Sequence, residues 1–402
     1  MRILFLSQLV PYPADAGPKV RSLHVLEYLA SAGHQITLVA FCRPTDTQQA
    51  IDHLATFCDE VYTVPIHRST FQNVKYFVKS VIQRSPFLIA RDFDQNMFDL
   101  LRSLVNSNDY DAVHADQLWM APYALATQKY SDKKLKLVLD QHNAVYLVPE
   151  RMGKNSANPL KKMVLDMEGE KLAEYEISIC AQFDQVVWVT DEDRAALARI
   201  PNGQADLISG PTIPICVDPD SKLPVKRNPD SKRVTFLGGL HWPPNAEGLV
   251  WFYREVWPQI VAEVPDAVLT VIGKNPPAEL AEGADHPNLD ILGFVDELDP
   301  YLEDTAVFIV PLHSGGGMRV KIVDGWSWGL PIISTTIGAE GIKYSDQTNI
   351  VISDTEDEFA RNTIELLMDE EKAARIAAEG RKNVETNFNW HITYKAWDQI
   401  YG

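Results

Sequence analysis

Cysteine is scarce in this sequence, and it has no long apolar run. The four cysteines among 402 residues form no CxxC pair and no cluster with histidine, which argues against structural zinc and against a disulfide framework. No apolar stretch approaches the ~20 residues that a membrane-spanning helix needs. The opening residues, MRILFLSQLVPYP, have too short an apolar core for a signal peptide. We therefore expect a cytoplasmic protein whose chain begins with a β-strand.

Positive charge is also in short supply. Thirty-seven Lys and Arg residues face 55 Asp and Glu residues, which gives a formal net charge of −18. A general nucleic-acid binder needs a broad basic surface, so we expect no nucleic-acid partner. The apolar content of 46% is ordinary for a globular protein. The length suits two domains, each large enough for its own core.

A GxGxxG dinucleotide fingerprint is missing, but the order of elements is that of an α/β fold. Short apolar runs such as 3–6, 35–41, 233–237 and 268–272 predict buried parallel strands, and helical segments separate them. A proline-rich stretch, 210–232, divides two such series. We predict two Rossmann-like, doubly wound domains that face each other across a cleft. Their ranges would be 1–210 and 211–388, with 389–402 packing back on the first.

Three consecutive glycines, Gly315 to Gly317, follow a predicted strand and precede a predicted helix that runs from Met318 to Trp328. Bare backbone N–H groups at such a place bind anions, most simply a phosphate. Arg319 and Lys321 add cations at the end of the helix where the dipole disfavours them. An anionic ligand would resolve that conflict. The alternative is a flexible glycine turn with two solvated cations.

Two predicted strands end in loops that carry a histidine, His114 and His142. The carboxyl ends of parallel strands are where open α/β sheets place their ligands. Each histidine is therefore either a functional residue or the partner in a structural hydrogen bond.

One stretch, 67–91, contains five basic residues and no acid, although the whole chain is acidic. Its apolar residues recur every three or four positions, which predicts a basic amphipathic helix. Such a helix can lie on an anionic membrane or bind a lipid-linked phosphate. The alternative is an ordinary surface helix with its apolar face inward.

The stretch GGGMRVKIVDGWSWGLPIISTTIGAEG resembles the donor-nucleotide motif of GT-B glycosyltransferases, in particular the GGGMRVK branch of the retaining family four. Residues 1–33 resemble the first strand and glycine loop of that family, and 239–245 resemble the entry to its second domain. The resemblance covers nearly the whole chain. It implies a nucleotide-diphosphate sugar donor bound mainly by the second domain, and a glycan, lipid-linked or small-molecule acceptor bound mainly by the first. It also implies retention of anomeric configuration, a role in polysaccharide, glycolipid or glycoconjugate biosynthesis, and neither a cofactor nor an obligatory metal.

The resemblance also implies individual roles. His142 would lie near the outer hydroxyls of the donor sugar, and Asp324 would accept hydrogen bonds from the ribose. Arg319 and Lys321 would neutralise the diphosphate, because the 238–245 region lacks the Arg and Lys that many relatives carry there. The implied catalytic residues are His142, Arg319 and Lys321. The implied donor-binding residues are Gly17, Gly239, Gly273, Lys274, Val295, Gly315, Gly316, Gly317, Met318, Arg319, Val320 and Asp324.

The sequence departs from the family pattern at two positions. Many relatives carry two glutamates seven residues apart, and here these positions are Gly316 and the shorter Asp324. Two alternatives therefore stay open beside the transferase: a sugar-nucleotide-binding protein without catalysis, and a GT-B sugar-nucleotide epimerase.

Overall fold

The computed structural model describes residues 1–66, 76, 80, 82, 85–154, 156, 158–200, 209–282 and 287–402. The chain forms two compact units. Unit 1 comprises Met1–Cys216 and His391–Gly402, and unit 2 comprises Val217–Trp390. The chain passes from unit 1 to unit 2 after Cys216 and returns after Trp390, a few residues beyond the predicted boundaries at 210 and 388. Local backbone hydrogen bonds explain the first of these differences. The backbone of Ile213 donates to Trp188 at the edge of the unit 1 sheet, while that of Val217 donates to Phe388 in unit 2.

Unit 1 is built on a parallel sheet of six strands in the order β3-β2-β1-β4-β5-β6. The strands are β1 (Arg2–Ser7), β2 (Gln35–Cys42), β3 (Glu60–Pro65), β4 (Ala112–Asp116), β5 (Lys136–Gln141) and β6 (Gln185–Trp188). The central strands are buried almost throughout, because helices cover both faces. The direction of the connections reverses between β1 and β4, which makes their carboxyl edge the expected ligand position.

The helices of unit 1 alternate with these strands. They are α1 (Gly17–Ser31), α2 (Gln48–Leu54), α3 (Phe87–Ala90), α4 (Gln95–Ser107), α5 (Ala121–Tyr130), α6 (Leu147–Lys154), α7 (Pro159–Cys180) and α8 (Asp191–Ala198). Several begin at a side-chain cap: Thr47, Asp94, Asn158 and Thr190 each accept a hydrogen bond from the first turn. Most of the predicted basic amphipathic helix at 67–91 lies outside the described residues.

Unit 2 repeats the same architecture, with strand order β12-β11-β10-β7-β8-β9. Its strands are β7 (Arg233–Leu237), β8 (Val268–Ile272), β9 (Leu289–Gly293), β10 (Thr305–Val310), β11 (Ile332–Ser334) and β12 (Val351–Ile352). The pairings are parallel, and the connections reverse between β7 and β10. Two doubly wound α/β units were predicted from the apolar runs, and the fold confirms them.

The helices of unit 2 are α9 (Pro243–Trp251), α10 (Trp257–Glu263), α11 (Ala278–Glu282), α12 (Asp299–Glu303), α13 (Val320–Ser327), α14 (Glu356–Met368) and α15 (Glu370–Asn387). The chain then continues through α16 (Trp390–Thr393) and α17 (Asp398–Tyr401). Helix α13 begins later than the sequence predicted, because Arg319 has a non-helical backbone (φ −88°, ψ 83°). In the part of the chain that the structure describes, every helix is too short or too polar to cross a membrane.

Candidate functional site

The loops that follow β7, β8 and β10 meet at one edge of the unit 2 sheet. β7 lies between β8 and β10, so all three loops leave the sheet at the switch point between β7 and β10. Gly273 shows how closely they approach. A Cβ at this position would collide with the backbone carbonyl of Gly238. The backbones are also joined, since Gly238 N donates to Ile272 O at 2.9 Å and Leu240 N donates to Lys274 O at 3.1 Å.

The three glycines after β10 form a tight turn in front of α13. Gly315 and Gly317 have φ values of +104° and +74°, a region that favours glycine. The Arg319 guanidinium folds back over this turn. Its Nη1 donates to the carbonyls of Gly316 and Gly317, the latter at 2.6 Å. A Cβ on Gly315 would lie 2.9 Å from Nη2. Arg319 therefore braces the glycine turn in this conformation.

Lys321 points into the space beneath the glycine loops. Its Nζ lies 3.0 Å from Asn245 Oδ1 and 4.5 Å from the centre of the Phe236 ring. A Cβ on Gly238 would lie 2.6 Å from the same nitrogen, so the glycine leaves room for it. Burial, with a smaller contribution from Arg319, lowers the pKa of Lys321 to about 7. Among the described residues no carboxylate pairs with this ammonium, so an anionic ligand would stabilise its charged form.

Asp324 lies one helical turn beyond Lys321 but pairs with a different lysine. Its Oδ1 is 2.5 Å from Nζ of Lys222, and both side chains are partly exposed. The alternative of a Lys321–Asp324 pair is not what the structure shows, because Lys321 turns toward Asn245. Nothing in the sequence signalled Lys222, which lies 102 residues before its partner.

Two further predicted residues lie at the carboxyl ends of the neighbouring strands. Lys274 follows β8, and its Nζ is 4.1 Å from the ring centre of Phe294, an aromatic residue that is 64% exposed. Val295 follows Phe294 after β9. The structure thus brings the predicted donor-binding residues of unit 2 to one sheet edge and the start of α13. Asn245 and Phe294 belong to the same place and were not predicted.

Gly17 and His142 belong to unit 1, at the carboxyl edge of its own sheet. Gly17 opens α1 directly after the β1 loop. His142 follows β5, and its Nε2 is 2.9 Å from Oδ1 of Asp116, the last residue of β4. Burial alone would lower the pKa of His142, but Asp116 and Asp140 outweigh it, so the pKa is raised. The imidazolium form is therefore favoured.

Arg21 balances the second carboxylate of this cluster. It binds both oxygens of Asp140, with Nε at 2.7 Å from Oδ2 and Nη2 at 2.6 Å from Oδ1. Burial acts to raise the pKa of Asp140, but Arg21 and His142 hold it well below its usual range. Arg21, Asp116, Asp140 and His142 thus form a buried cluster of ion pairs. Such a cluster fixes the imidazole firmly.

His114 has the structural role that the sequence left open. Its Nδ1 lies 2.7 Å from the hydroxyl of Tyr401, and its ring stacks on Phe5 with centres 4.2 Å apart. Burial lowers its pKa to about 4, so it is neutral at physiological pH. His114, Asp116 and Asp140 are close enough together to suggest a metal site. They fit a cation poorly, because Arg21 already occupies Asp140 and repels further positive charge.

Two buried carboxylates hold the loop that follows His142. Asp193 Oδ1 accepts from Ala144 N at 3.0 Å, and Glu176 accepts from Val145 N and Tyr146 N at 2.6 and 3.3 Å. Burial raises the pKa of Glu176 to about 8. Neither contact could be predicted from local patterns, because both acids lie on later helices.

A cavity of about 400 Å³ opens beside the loops after β1 and β2 in unit 1. Tyr12, Asp15, Lys19, Asp46 and Thr47 contribute to its wall. Lys19 and Asp15 form an ion pair at 3.2 Å. The wall therefore combines an aromatic ring with charged and hydroxyl groups, a lining suited to a polar ligand such as a sugar.

Comparison with known proteins finds similarities in sequence and in fold. Residues 231–369, most of unit 2, match the family model described as "Glycosyl transferases group 1". A Klebsiella pneumoniae protein named "Uncharacterized 44.6 kDa protein in cps region" is 24% identical over 407 residues, which covers 96% of each chain. The GDP-mannose-dependent monoacylated alpha-(1-6)-phosphatidylinositol monomannoside mannosyltransferase of Corynebacterium glutamicum is 28% identical over 148 residues, covering 34% of this chain and 39% of that one.

Solved structures show the same fold over the full length. The Anabaena protein Alr3699/HepE in complex with UDP superposes with a TM-score of 0.65 at 13% identity, covering 100% of this chain and 99% of that one. The fold is therefore that of the two-domain α/β structures of GT-B glycosyltransferases. Residues 231–369 of unit 2 resemble the glycosyl transferases group 1 family.

Proposed function

We propose that the protein transfers a sugar from a nucleotide-diphosphate donor to an acceptor hydroxyl, with retention of anomeric configuration. The observation that carries this proposal is Lys321, an ammonium group placed beneath the glycine loops with no carboxylate partner among the described residues. A diphosphate bound at the glycine turn would supply the missing negative charge. Arg319 holds the turn in shape through the carbonyls of Gly316 and Gly317.

The proposed reaction breaks the bond between the anomeric carbon and the diphosphate oxygen. The acceptor oxygen then bonds to the anomeric carbon on the same face, and its proton passes to the departing phosphate. Charge develops on the diphosphate in this step, and Lys321, Arg319 and the first-turn amides of α13 would stabilise it. Two cations at this place can do so without a metal or cofactor, which we therefore do not assign.

Asp324 and His142 have supporting roles in this proposal. Asp324 would accept hydrogen bonds from the ribose hydroxyls after Lys222 moves away from one of its carboxylate oxygens. His142 would bind the outer hydroxyls of the donor sugar through Nδ1, which has no hydrogen-bond partner in the described part of the chain. Asp116 lies 2.9 Å from Nε2 and is the ion-pair partner of the ring.

We assign the acceptor to unit 1, where the cavity near Tyr12 and Lys19 offers polar walls. The relatives support a role in building cell-envelope polysaccharide or glycolipid. One is named for a cps region, and another acts on a phosphatidylinositol mannoside. All four cysteines are free thiols in the structure, which suits a reaction in the reducing cytoplasm.

Thermal unfolding with UDP, GDP, ADP and dTDP tests the donor site first, because HepE was solved with UDP and the mannosyltransferase depends on GDP-mannose. The matching sugar nucleotides are then assayed for transfer, with product configuration read by NMR and with EDTA added to detect any metal requirement. Arg319→Ala should lose roughly 100-fold in turnover while staying folded. Full activity in that variant would contradict the assignment. Lys382→Met is the control, since Lys382 is 69% exposed on α15.

A sugar-nucleotide-binding role without catalysis is the second candidate. Two observations favour it: Gly316 replaces a glutamate of the family pattern, and Asp324 is paired with Lys222. Tight nucleotide binding without turnover of any donor would support this candidate. Release of free nucleotide diphosphate without an acceptor product would instead indicate the epimerase.

A further inference from the structure

Arg21 of α1 is a fully buried arginine whose bonds join separate parts of unit 1. Its Nε and Nη2 bind both oxygens of Asp140, near the end of β5. Its Nη1 donates to the carbonyls of Ile213 at 2.7 Å and Pro214 at 3.2 Å, in the segment 209–216 by which the chain leaves unit 1. The guanidinium carbon also lies 5.6 Å from the ring centre of Trp397. One side chain therefore ties α1 to β5, to this exit segment and to the C-terminal segment.

The place of this ion pair indicates a role beyond stability. A buried ion pair is weak evidence for stabilisation, because apolar residues of similar volume often hold a fold as well or better. Arg21 lies four residues after Gly17, one turn into α1, and Asp140 lies two residues before His142. Both predicted site residues of unit 1 are thus close in sequence to the pair.

His142 has two carboxylates near its ring, and Arg21 binds the farther one. His142 Nε2 is 2.9 Å from Oδ1 of Asp116 and 3.6 Å from Oδ2 of Asp140. The latter oxygen also accepts from Nε of Arg21 at 2.7 Å. The guanidinium therefore weakens the attraction of Asp140 for the imidazole, and Asp116 stays the nearer partner. Without Arg21, the buried Asp140 would draw the ring toward itself, because His142 would be its remaining cation.

We propose that Arg21 is a positioning residue for His142. By binding Asp140 it keeps the imidazole beside Asp116, so that Nδ1 stays available to the donor sugar. Through the carbonyls of the exit segment it also fixes Asp140 itself. Arg21 touches no substrate in this inference and acts only through Asp140. The inference rests on the proposed function, because the role of His142 at the donor sugar belongs to that proposal.

The titration of His142 distinguishes positioning from a purely structural role. Burial acts to lower the pKa of His142, whereas Asp116 and Asp140 raise it. Loss of the guanidinium would strengthen the effect of Asp140, so the pKa should rise further. Four other titratable groups lie near the ring or the guanidinium: His114, Cys216, Tyr394 and Tyr401. Burial lowers the pKa of the histidine to about 4 and raises the pKa values of the other three, so they stay neutral in this titration.

Nitrogen-15 NMR of the histidine rings in the full chain measures this titration without donor or acceptor. In Arg21→Met the titration midpoint of His142 should rise by about one pH unit. Adding Asp140→Asn to that variant should bring the midpoint back toward the wild-type value, because the competing carboxylate is gone. The spectrum of His142→Gln identifies the resonance.

Arg194→Met is the matched control for this substitution. Arg194 also joins a carboxylate to a carbonyl of the exit segment, with Nη2 at 2.8 Å from Asp191 and Nη1 at 2.8 Å from the carbonyl of Gly210. Neither of these partners belongs to the cluster around His142. The control should leave the titration midpoint of His142 unchanged.

Turnover and nucleotide binding form the second measurement. Arg21→Met should lower kcat with the sugar nucleotide about tenfold, since a displaced contact group costs at least this much. Its Kd for UDP or GDP should stay within about twofold of wild type, because the proposed diphosphate site lies in unit 2. The double variant Arg21→Met/Asp140→Asn should recover most of the lost turnover. Failure of the wild type to turn over any donor would end the proposed function, and the NMR titration would still test Arg21 separately.

Three results would overturn the inference. The first is an unchanged titration midpoint of His142 in Arg21→Met, and the second is an equal shift in Arg194→Met. The third is a folded double variant whose midpoint and turnover equal those of Arg21→Met. Circular dichroism establishes folding. Where Arg21→Met does not fold, Arg21→Lys replaces it, because lysine cannot bind Asp140 and both carbonyls together; a smaller rise of the midpoint is then expected, and no rise overturns the inference.

Discussion

Replacing Lys321 with methionine should stabilise the unliganded protein and abolish nucleotide binding. Methionine keeps the length of the side chain and fits the space between Phe236 and Asn245, while removing the charge. In the wild type this side chain is partly buried and has no carboxylate partner among the described residues. The same substitution removes the cation that a bound diphosphate needs. Stability and ligand binding should therefore change in opposite directions.

The expected magnitude follows from the lowered pKa of Lys321. A fall from 10.5 to about 7 corresponds to roughly 5 kcal/mol at ~1.4 kcal/mol per pH unit. Partial exposure screens the charge, and the variant also loses the hydrogen bond to Asn245, worth ~1 kcal/mol. We expect a net gain of ~1–2 kcal/mol, or roughly 2–8 °C in the unfolding temperature of a unit of this size.

The pH dependence has a definite sign. Below the folded pKa of about 7, Lys321 is charged in both states, and its burial cost is fully present. As the pH rises from about 7 toward the unfolded value of 10.5, the folded protein carries a neutral amine and the cost disappears. The advantage of Lys321→Met should therefore be largest near about pH 6 and smaller near about pH 9.

Thermal unfolding measures the stability gain, its pH dependence and nucleotide binding. Wild type, Lys321→Met and the control Lys382→Met are compared at both pH values, with and without UDP or GDP. The nucleotide should raise the wild-type unfolding temperature and leave that of Lys321→Met unchanged. Calorimetry in buffers of different ionisation enthalpy should show proton uptake when the wild type binds nucleotide above about pH 7. A variant that is less stable than wild type at both pH values, and that still responds to nucleotide, would refute the reasoning.

Two further substitutions test other parts of the structure. Asp324→Asn should change the free energy of unfolding by less than ~1 kcal/mol, because the ion pair of Asp324 with Lys222 is partly exposed. The same substitution should weaken nucleotide binding, measured by calorimetry, about tenfold through the lost ribose contact. Unchanged affinity would show that Asp324 does not contact the nucleotide. Glu176→Gln should remove a pH-dependent loss of stability. The folded pKa of Glu176 is about 8 against 4.5 unfolded, so the wild type loses stability as the pH rises through this window. Unfolding curves of both proteins between about pH 5 and pH 8 should converge at the acid end, and parallel curves would contradict the buried acid.

The two sheets and the glycine turn could be predicted from the sequence, because they depend on local patterns of residues. Apolar runs such as those of β1 and β10 predict strands covered on both faces, and consecutive glycines before a helix predict a tight turn. The anion site at that turn stays a prediction. The roles of Arg319, Lys321, Asp324 and His142 stay predictions. Their partners could not be foreseen, since Lys222, Asn245 and Asp116 come from distant segments and no periodicity records such contacts.

Helix α7 shows a different limit of sequence patterns. Spacing of apolar residues predicts which residues share a face, but it does not say which face is inward. In α7 the line through Met163 and Met167 faces the solvent, and the line through Leu172 faces the core.

The return of residues 391–402 to unit 1 has a consequence for synthesis. Tyr401 hydrogen-bonds to His114, the carbonyl of Ile400 accepts from Lys136, and Asp398 accepts from Tyr28 at 2.7 Å. On the ribosome, the rest of unit 1 therefore waits while all of unit 2, 217–390, is made, on the order of 10–35 s at typical elongation rates. During that time the surface that Trp397 and Tyr401 will cover is open, and unit 2 can finish folding before unit 1 does.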